Sequence, residues 1–243
     1  MAACDTLMRA GIELEVECAQ GNRYRIASTV KNSSVGRSFL IKSDGSLNNG
    51  FELVTGPLAL EYHQALWLEA TKIIKRAGAR SWKHHSTGMH VHISRSAVTP
   101  LTIGKVLVFL NSQRTRIPIV KLAGRTSANY AALAKKKLTD GRRHGDNRYE
   151  SLNTCNSTTI EFRIFKGTLD CEHILANLEF CFGVCHWAAQ ASTKECESWG
   201  SFWRYMSDHK KTYGRFLSYM TKKGIVGTDY NGLEVPAGIE EEN

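Results

Sequence analysis

A two-residue period constrains this chain more than any other feature. It recurs in separate segments, with apolar side chains at one parity and acidic or imidazole groups at the other. "GIELEVEC" (residues 11–18) places Ile12, Leu14 and Val16 on one face and Glu13, Glu15 and Glu17 on the other. Successive side chains of a β-strand point to opposite faces, so such a segment has one face to bury and one to offer. "TGMHVHIS" (87–94) repeats the pattern, with His90 and His92 set against Met89, Val91 and Ile93. "TTIEFRIFKG" (158–167) sets Glu161, Arg163 and Phe165 against Ile160, Phe162 and Ile164. "RSFLIKSDG" runs into a turn at Asp44-Gly45, and "GFELVTGP" (50–57), which carries Glu52, reads as its partner strand.

Helical signals fill the intervals. Pro57 is expected to open a helix over 58–77, with Leu60, Ala65, Leu66, Ile73 and Ile74 apolar and Gly78 as its C-terminal cap. Thr99-Pro100 reads as N-cap and first residue of a helix to about 116, and Asp170 as the cap of a helix over 171–190. Aromatic-rich helices are expected in 199–223. The basic segment 124–148 reads as a mobile loop, and the tail 226–243, ending "IEEEN", as flexible. These elements predict an α+β fold, an antiparallel β-sheet with helices packed on one face, forming one domain over residues 1–225.

The 243 residues carry a formal charge of +9, which admits a nucleic acid partner, but the lysines and arginines are spread out. A basic enzyme handling nucleotides explains the charge equally well. No apolar run approaches the ~20 residues that span a bilayer, and no secretion signal is evident, so no membrane partner is expected. Seven cysteines without a CxxC pair suit reduced thiols and a cytoplasmic location. Cys181 and Cys185, four apart in a helical pattern, read as core residues.

Each loaded strand has an ordinary explanation when taken alone. Alternating glutamates are commonly a sheet's solvated face, and "EFR" is commonly a cross-strand ion pair. Four such strands change the balance, because carboxylates gathered on one face repel one another unless cations neutralise them. A set rich in oxygen with one or two imidazoles suits Mg²⁺ or Mn²⁺, although HxH plus a carboxylate also fits a hydrolytic Zn²⁺.

"GIELEVE", "DGSL…FELVTGPL", "TGMHVHIS", "RYESLN" and "IEFRIFKGTL", in that order over residues 10–185, resemble the amidoligase family. That family belongs to the carboxylate–amine ligase superfamily, with glutamine synthetase and glutamate–cysteine ligase. The resemblance implies a glutamine synthetase-like catalytic domain that joins a carboxylate to an amine through an acyl phosphate, using ATP and two divalent metals. It implies that Glu13 and Glu15 each serve one metal, that Asp44 and Glu52 complete one site, and that His90 and Glu161 complete the other. Arg163 and Arg148 match arginines that hold phosphate or the developing acyl phosphate, with Lys166 a further nucleotide contact. Glu17 and His92 receive no assignment. Asp44 stands where glutamine synthetase has a glutamate, no glycine-rich phosphate loop is visible, and segment 124–148 is the candidate closing loop. The acid and the amine stay open among amino acids, peptide or protein termini, cell-wall peptides and polyamines. Two other readings remain: a metal-dependent hydrolase or phosphotransferase on the same face, and a basic nucleic-acid-binding protein.

Overall fold

The structure, a computed structural model, describes residues 8–19, 21–81, 87–125 and 135–230. Six strands form one antiparallel sheet: β1 (Ala10–Glu17), β2 (Phe39–Lys42), β3 (Gly50–Thr55), β4 (Gly88–Ser94), β5 (Leu152–Asn153) and β6 (Thr159–Lys166). Their spatial order is β2-β3-β1-β4-β6-β5. The two strands with the strictest alternation, β1 and β4, therefore lie at the centre.

One face of the sheet is the floor of the core. Ile12, Leu14, Val16, Phe51, Leu53, Met89, Val91, Ile160 and Phe162 are all buried on it. Helices α2 (His63–Arg76) and α5 (Cys171–Gln190) supply the matching apolar faces. Trp67 of α2 meets Phe39 edge-on at 5.2 Å between ring centroids, and Phe180 of α5 stands over Phe162 and Phe165 at 6.4 and 6.3 Å. Edge-to-face rings at this spacing are favourable beyond the area they bury. Outside α5 lie α6 (Trp199–Asp208) and α7 (Lys210–Lys222), whose Phe202 and Phe216 pack on Phe180. The expected α+β architecture, an antiparallel sheet with helices on one face, is the one observed. Among the described residues, no helix is long and apolar enough to cross a membrane.

The helix caps fall where the residue types place them. Asp170 accepts the backbone N–H groups of Glu172 and His173 at the start of α5, and Thr99 accepts that of Thr102 at the start of α3 (Pro100–Asn111). Cys181 and Cys185 are fully buried in α5.

Four expectations need correction. The helix after Pro57 begins only at His63, because Leu58 spends both backbone groups on Ala10, each bond 2.8 Å. The helix from Pro100 stops at Asn111 instead of about 116, and α4 (Arg116–Ala123) restarts beyond it. Pro118 explains the break: inside a continuous helix its ring would clash with a carbonyl, whereas in the first turn of α4 it costs nothing. Helix α1 (Arg23–Lys31) was not foreseen, since it buries only Ile26 and Val30. Finally, residues 138–142 of the basic segment form a 3-10 turn packed on α3. A Cβ on Gly104 would lie 2.1 Å from the Leu138 carbonyl oxygen, and one on Gly141 2.2 Å from that of Pro100. Residues 126–134 of that segment, and residues 231–243 of the tail, lie outside the described residues.

Candidate metal centre

The sheet's other face is polar, and register decides which of its groups meet. Glu15 lies directly across from Glu52, Glu13 from His90, and His92 from Glu161. Two clusters result. Carboxylate oxygens of Glu15, Asp44 and Glu52 lie within 4.8 Å of one another, as do ligand atoms of Glu13, His92 and Glu161.

The first cluster needs Asp44 brought in from the β2–β3 turn, and Glu17 does this. Its buried carboxylate accepts the backbone N–H groups of Asn48 and Asn49 at 2.7 and 3.0 Å, tying the turn to the end of β1. The turn is tightened further by Asp44 itself, which accepts the N–H of Ser46 at 2.6 Å. Glu15 accepts the backbone N–H of Gly88, which fixes its carboxylate against β4.

These groups show the strain of gathered negative charge. Burial pushes Glu52 up to about 7, with the Glu13 and Asp44 charges adding to the shift. Burial also raises Glu15. Asp44 is raised by burial, but hydrogen bonds from Ser46 and Glu52 outweigh that, so it lies below the ordinary carboxylate value.

In the second cluster, hydrogen bonds to His90 and His92 hold Glu13 well below the usual carboxylate range. His90 Nδ1 is 3.7 Å from Glu13 and 3.4 Å from Glu161. His92 turns Nδ1 toward the Thr159 hydroxyl at 3.5 Å, which leaves Nε2 3.6 Å from Glu13 and 4.0 Å from Glu161. Both imidazoles thus reach this cluster. His90 also acts electrostatically on Glu15 and Asp44, so it stands between the two groups. Glu161 is oriented from both sides: Asn153 donates to one oxygen at 2.6 Å, and Arg163 donates to the other. Asn153 is itself fixed by the Cys155 N–H, which its amide oxygen accepts at 2.9 Å.

A bulge in β6 settles which residues follow Arg163 onto this face. Phe162 pairs with Val91 but Phe165 pairs with Met89, so one extra β6 residue is inserted opposite His90. Strict alternation would have put Phe165 on the polar face. Instead Phe165 is buried in the core beside Phe180, and Lys166 comes opposite Gly88 on the polar side. Arg125, just after α4, holds the bulge by donating to the carbonyls of Ile164 and Arg163 at 3.0 and 2.6 Å.

Glu13, Glu15, Asp44, Glu52, His90, Glu161, Arg163 and Lys166 therefore share one region of the sheet. Arg148 is apart: it lies fully exposed at the rim, donating to the Tyr149 hydroxyl at 2.9 Å and stacked 4.9 Å over that ring. Sequence reasoning overlooked Lys42, Asn153 and Arg125, and gave Glu17 no role. Lys42 stands 3.6 Å from Glu13 and shares the parity of Leu40 in "FLIK", which was the available signal. Asn153 lay inside "RYESLN".

No protein-family model matches the chain, and no curated protein matches it. Among solved structures it is similar to the crystal structure of the complex between prokaryotic ubiquitin-like protein Pup and its ligase PafA. The TM-score is 0.42 at 9% identity, covering 89% of this chain and 63% of that one. The chain thus spans less than two thirds of the length of that structure.

The donor set itself fits a hard divalent cation. Five carboxylates face two imidazoles, with Lys42 paired to Glu13 and Arg163 to Glu161. Oxygen-rich sites of this kind suit Mg²⁺ or Mn²⁺. Ligand atoms around Mg²⁺ sit at ~2.1 Å from the ion, so no two are more than roughly 4.2 Å apart. Both clusters are within a small contraction of that limit.

Proposed function

We propose that the chain is an ATP-dependent carboxylate–amine ligase that forms an amide or peptide bond and releases ADP and phosphate. The observation that carries this reading is the pair of acidic clusters on one sheet face, Glu15/Asp44/Glu52 and Glu13/His92/Glu161, with His90 between them. Two Mg²⁺ or Mn²⁺ ions held there supply charge neutralisation for a triphosphate and for the phosphoryl group in transfer.

The protein's own groups have the following parts. Glu13, Glu15, Asp44, Glu52, Glu161 and the two histidines form the cation-holding floor. Asn153 and Glu17 fix two of its components, the Glu161 carboxylate and the Asp44 turn. Arg163 and Lys166 present positive charge on the same face, and Arg148 joins them once it leaves the Tyr149 ring. The planar fork of arginine suits paired phosphate oxygens. The carboxylate substrate attacks the γ-phosphorus of ATP and ADP leaves; the amine then attacks the acyl carbon and phosphate leaves. Half-burial of the face restricts water, which would otherwise hydrolyse the acyl phosphate. A peptide or protein terminus is among the substrates such a face admits, and a cytoplasmic setting, where ATP is abundant, belongs to the same reading.

Calorimetric titration of ATP in Mg²⁺ and again in EDTA, with wild type and Glu161→Gln, tests the proposal. Binding should require metal and be lost in the variant. Wild-type affinity for Mg·ATP in Glu161→Gln, or undiminished binding in EDTA, refutes it. ADP release that needs both an acid and an amine separates a ligase from a hydrolase on the same face.

A further inference from the structure

Gly88 opens β4 on the polar face, and the usual demands on glycine do not explain it. Its φ is not positive, so the backbone there accepts an L side chain. No main chain crowds it either. Outside its own neighbours in sequence, the nearest main-chain atom to a Cβ built there is the Phe165 carbonyl oxygen, at an ordinary 3.8 Å. At Gly50, Gly104 and Gly141, by contrast, a Cβ would come within 2.2 Å of a carbonyl oxygen. Glycine in a strand costs stability, and it commonly marks a place where something must approach closely.

What a Cβ at Gly88 would meet is the site itself. It would lie 3.3 Å from His90 Nε2 and 3.4 Å from Glu15 Oε2. Those atoms serve different clusters. Glu15 groups with Asp44 and Glu52, while His90 presents Nδ1 to Glu13 and Glu161 at 3.7 and 3.4 Å. The two clusters therefore close together over one residue that has no side chain. Gly88 also holds Glu15 directly, since its N–H donates to that carboxylate. His90 and Glu15 are both buried, so packing resists the displacement of either.

We propose that Gly88 is a positioning residue: by lacking a side chain it lets Glu15 and His90 close over β4, and so sets the distance between the two cations. The inference rests on the two-cation reading of this face. A methyl group there displaces the imidazole and the carboxylate by a few tenths of an ångström. Mg²⁺ is sensitive to such a shift because it demands near-octahedral geometry at short distances, whereas Ca²⁺ accepts longer and less regular ones.

Gly88→Ala in the full chain is the test. Its urea midpoint in EDTA should equal or exceed that of wild type, because alanine suits a strand better than glycine. Calorimetric Mg²⁺ affinity should fall about tenfold, and Ca²⁺ affinity by less than about threefold. With two Mn²⁺ bound in the presence of ATP, spin coupling between the ions should weaken in the electron paramagnetic resonance spectrum. Wild-type Mg²⁺ affinity with unchanged coupling overturns the proposal and leaves the cation face standing. So do equal losses for Mg²⁺ and Ca²⁺, or a lowered midpoint in EDTA, which would show that the glycine serves packing. Wild type that binds no divalent cation removes the face itself, and this proposal with it.

Discussion

Replacing Glu17 by alanine removes the carboxylate that holds the N–H groups of Asn48 and Asn49 at 2.7 and 3.0 Å, and with them the turn that carries Asp44. A hydrogen bond to a charged acceptor contributes about 1.5–3 kcal/mol net. Asn48 is exposed, so water replaces most of what its bond contributes, and the loss is about 2 kcal/mol, nearly all of it from the Asn49 bond. At roughly 1.4 kcal/mol per factor of ten, the ordered turn loses up to about thirtyfold in population, and cation affinity at Glu15/Asp44/Glu52 falls by the same factor. Affinity at Glu13/His92/Glu161 should hardly change, since none of its groups is attached to that turn. Mn²⁺ titration followed by electron paramagnetic resonance resolves the two affinities. A Glu17→Ala protein that binds both ions as wild type does would show that the turn holds itself, and the reasoning would fail.

Other consequences are as specific. Gly104→Ala should destabilise the fold by about 1–3 kcal/mol in urea despite alanine's better helix propensity, because the new Cβ meets the backbone of Leu138. His63 is buried against the Ala10 carbonyl, and burial lowers it from 6.5 to about 4. Its folded pKa lies below its unfolded one, so its contribution is complete above pH ~6.5 and is lost as pH falls toward 4, by about 3 kcal/mol in all. Urea midpoints of wild type and His63→Gln should converge over that window; parallel curves would exclude His63 as a source of acid lability. Asn153→Ala leaves one Glu161 oxygen without its donor and should weaken metal-dependent ATP binding about tenfold, with a smaller effect on stability.

The sheet was legible because burial imposes period two on β1 and β4, and because Asp170 and Thr99-Pro100 carry their capping chemistry on their faces. Strand neighbours could not be read, since register depends on contacts far apart in sequence: nothing near Glu15 announces that Glu52 will stand opposite it. The β6 bulge has no residue signature in "EFRIFK". It is imposed by Met89 taking Phe165 across the ladder and by Arg125 on its carbonyls, so strict alternation misplaced Phe165. Leu58 likewise reads as helix until its backbone bonds to Ala10 are seen. At the site, the acidic and imidazole groups were visible as residue types at a shared parity. The work of Glu17 was not, because it holds main-chain groups of a turn whose shape the sequence does not specify. Arg148 was matched by its motif, whereas its place at the rim depends on the path of the chain past Tyr149.

The most direct measurement is the number of Mn²⁺ ions bound per chain in the presence of ATP, in wild type, Glu52→Gln and Glu161→Gln. The account predicts two ions in wild type and one in each variant, with the surviving ion reporting the cluster left intact. A single ion in wild type, or two ions that persist in both variants, would contradict a paired-cation site on this face.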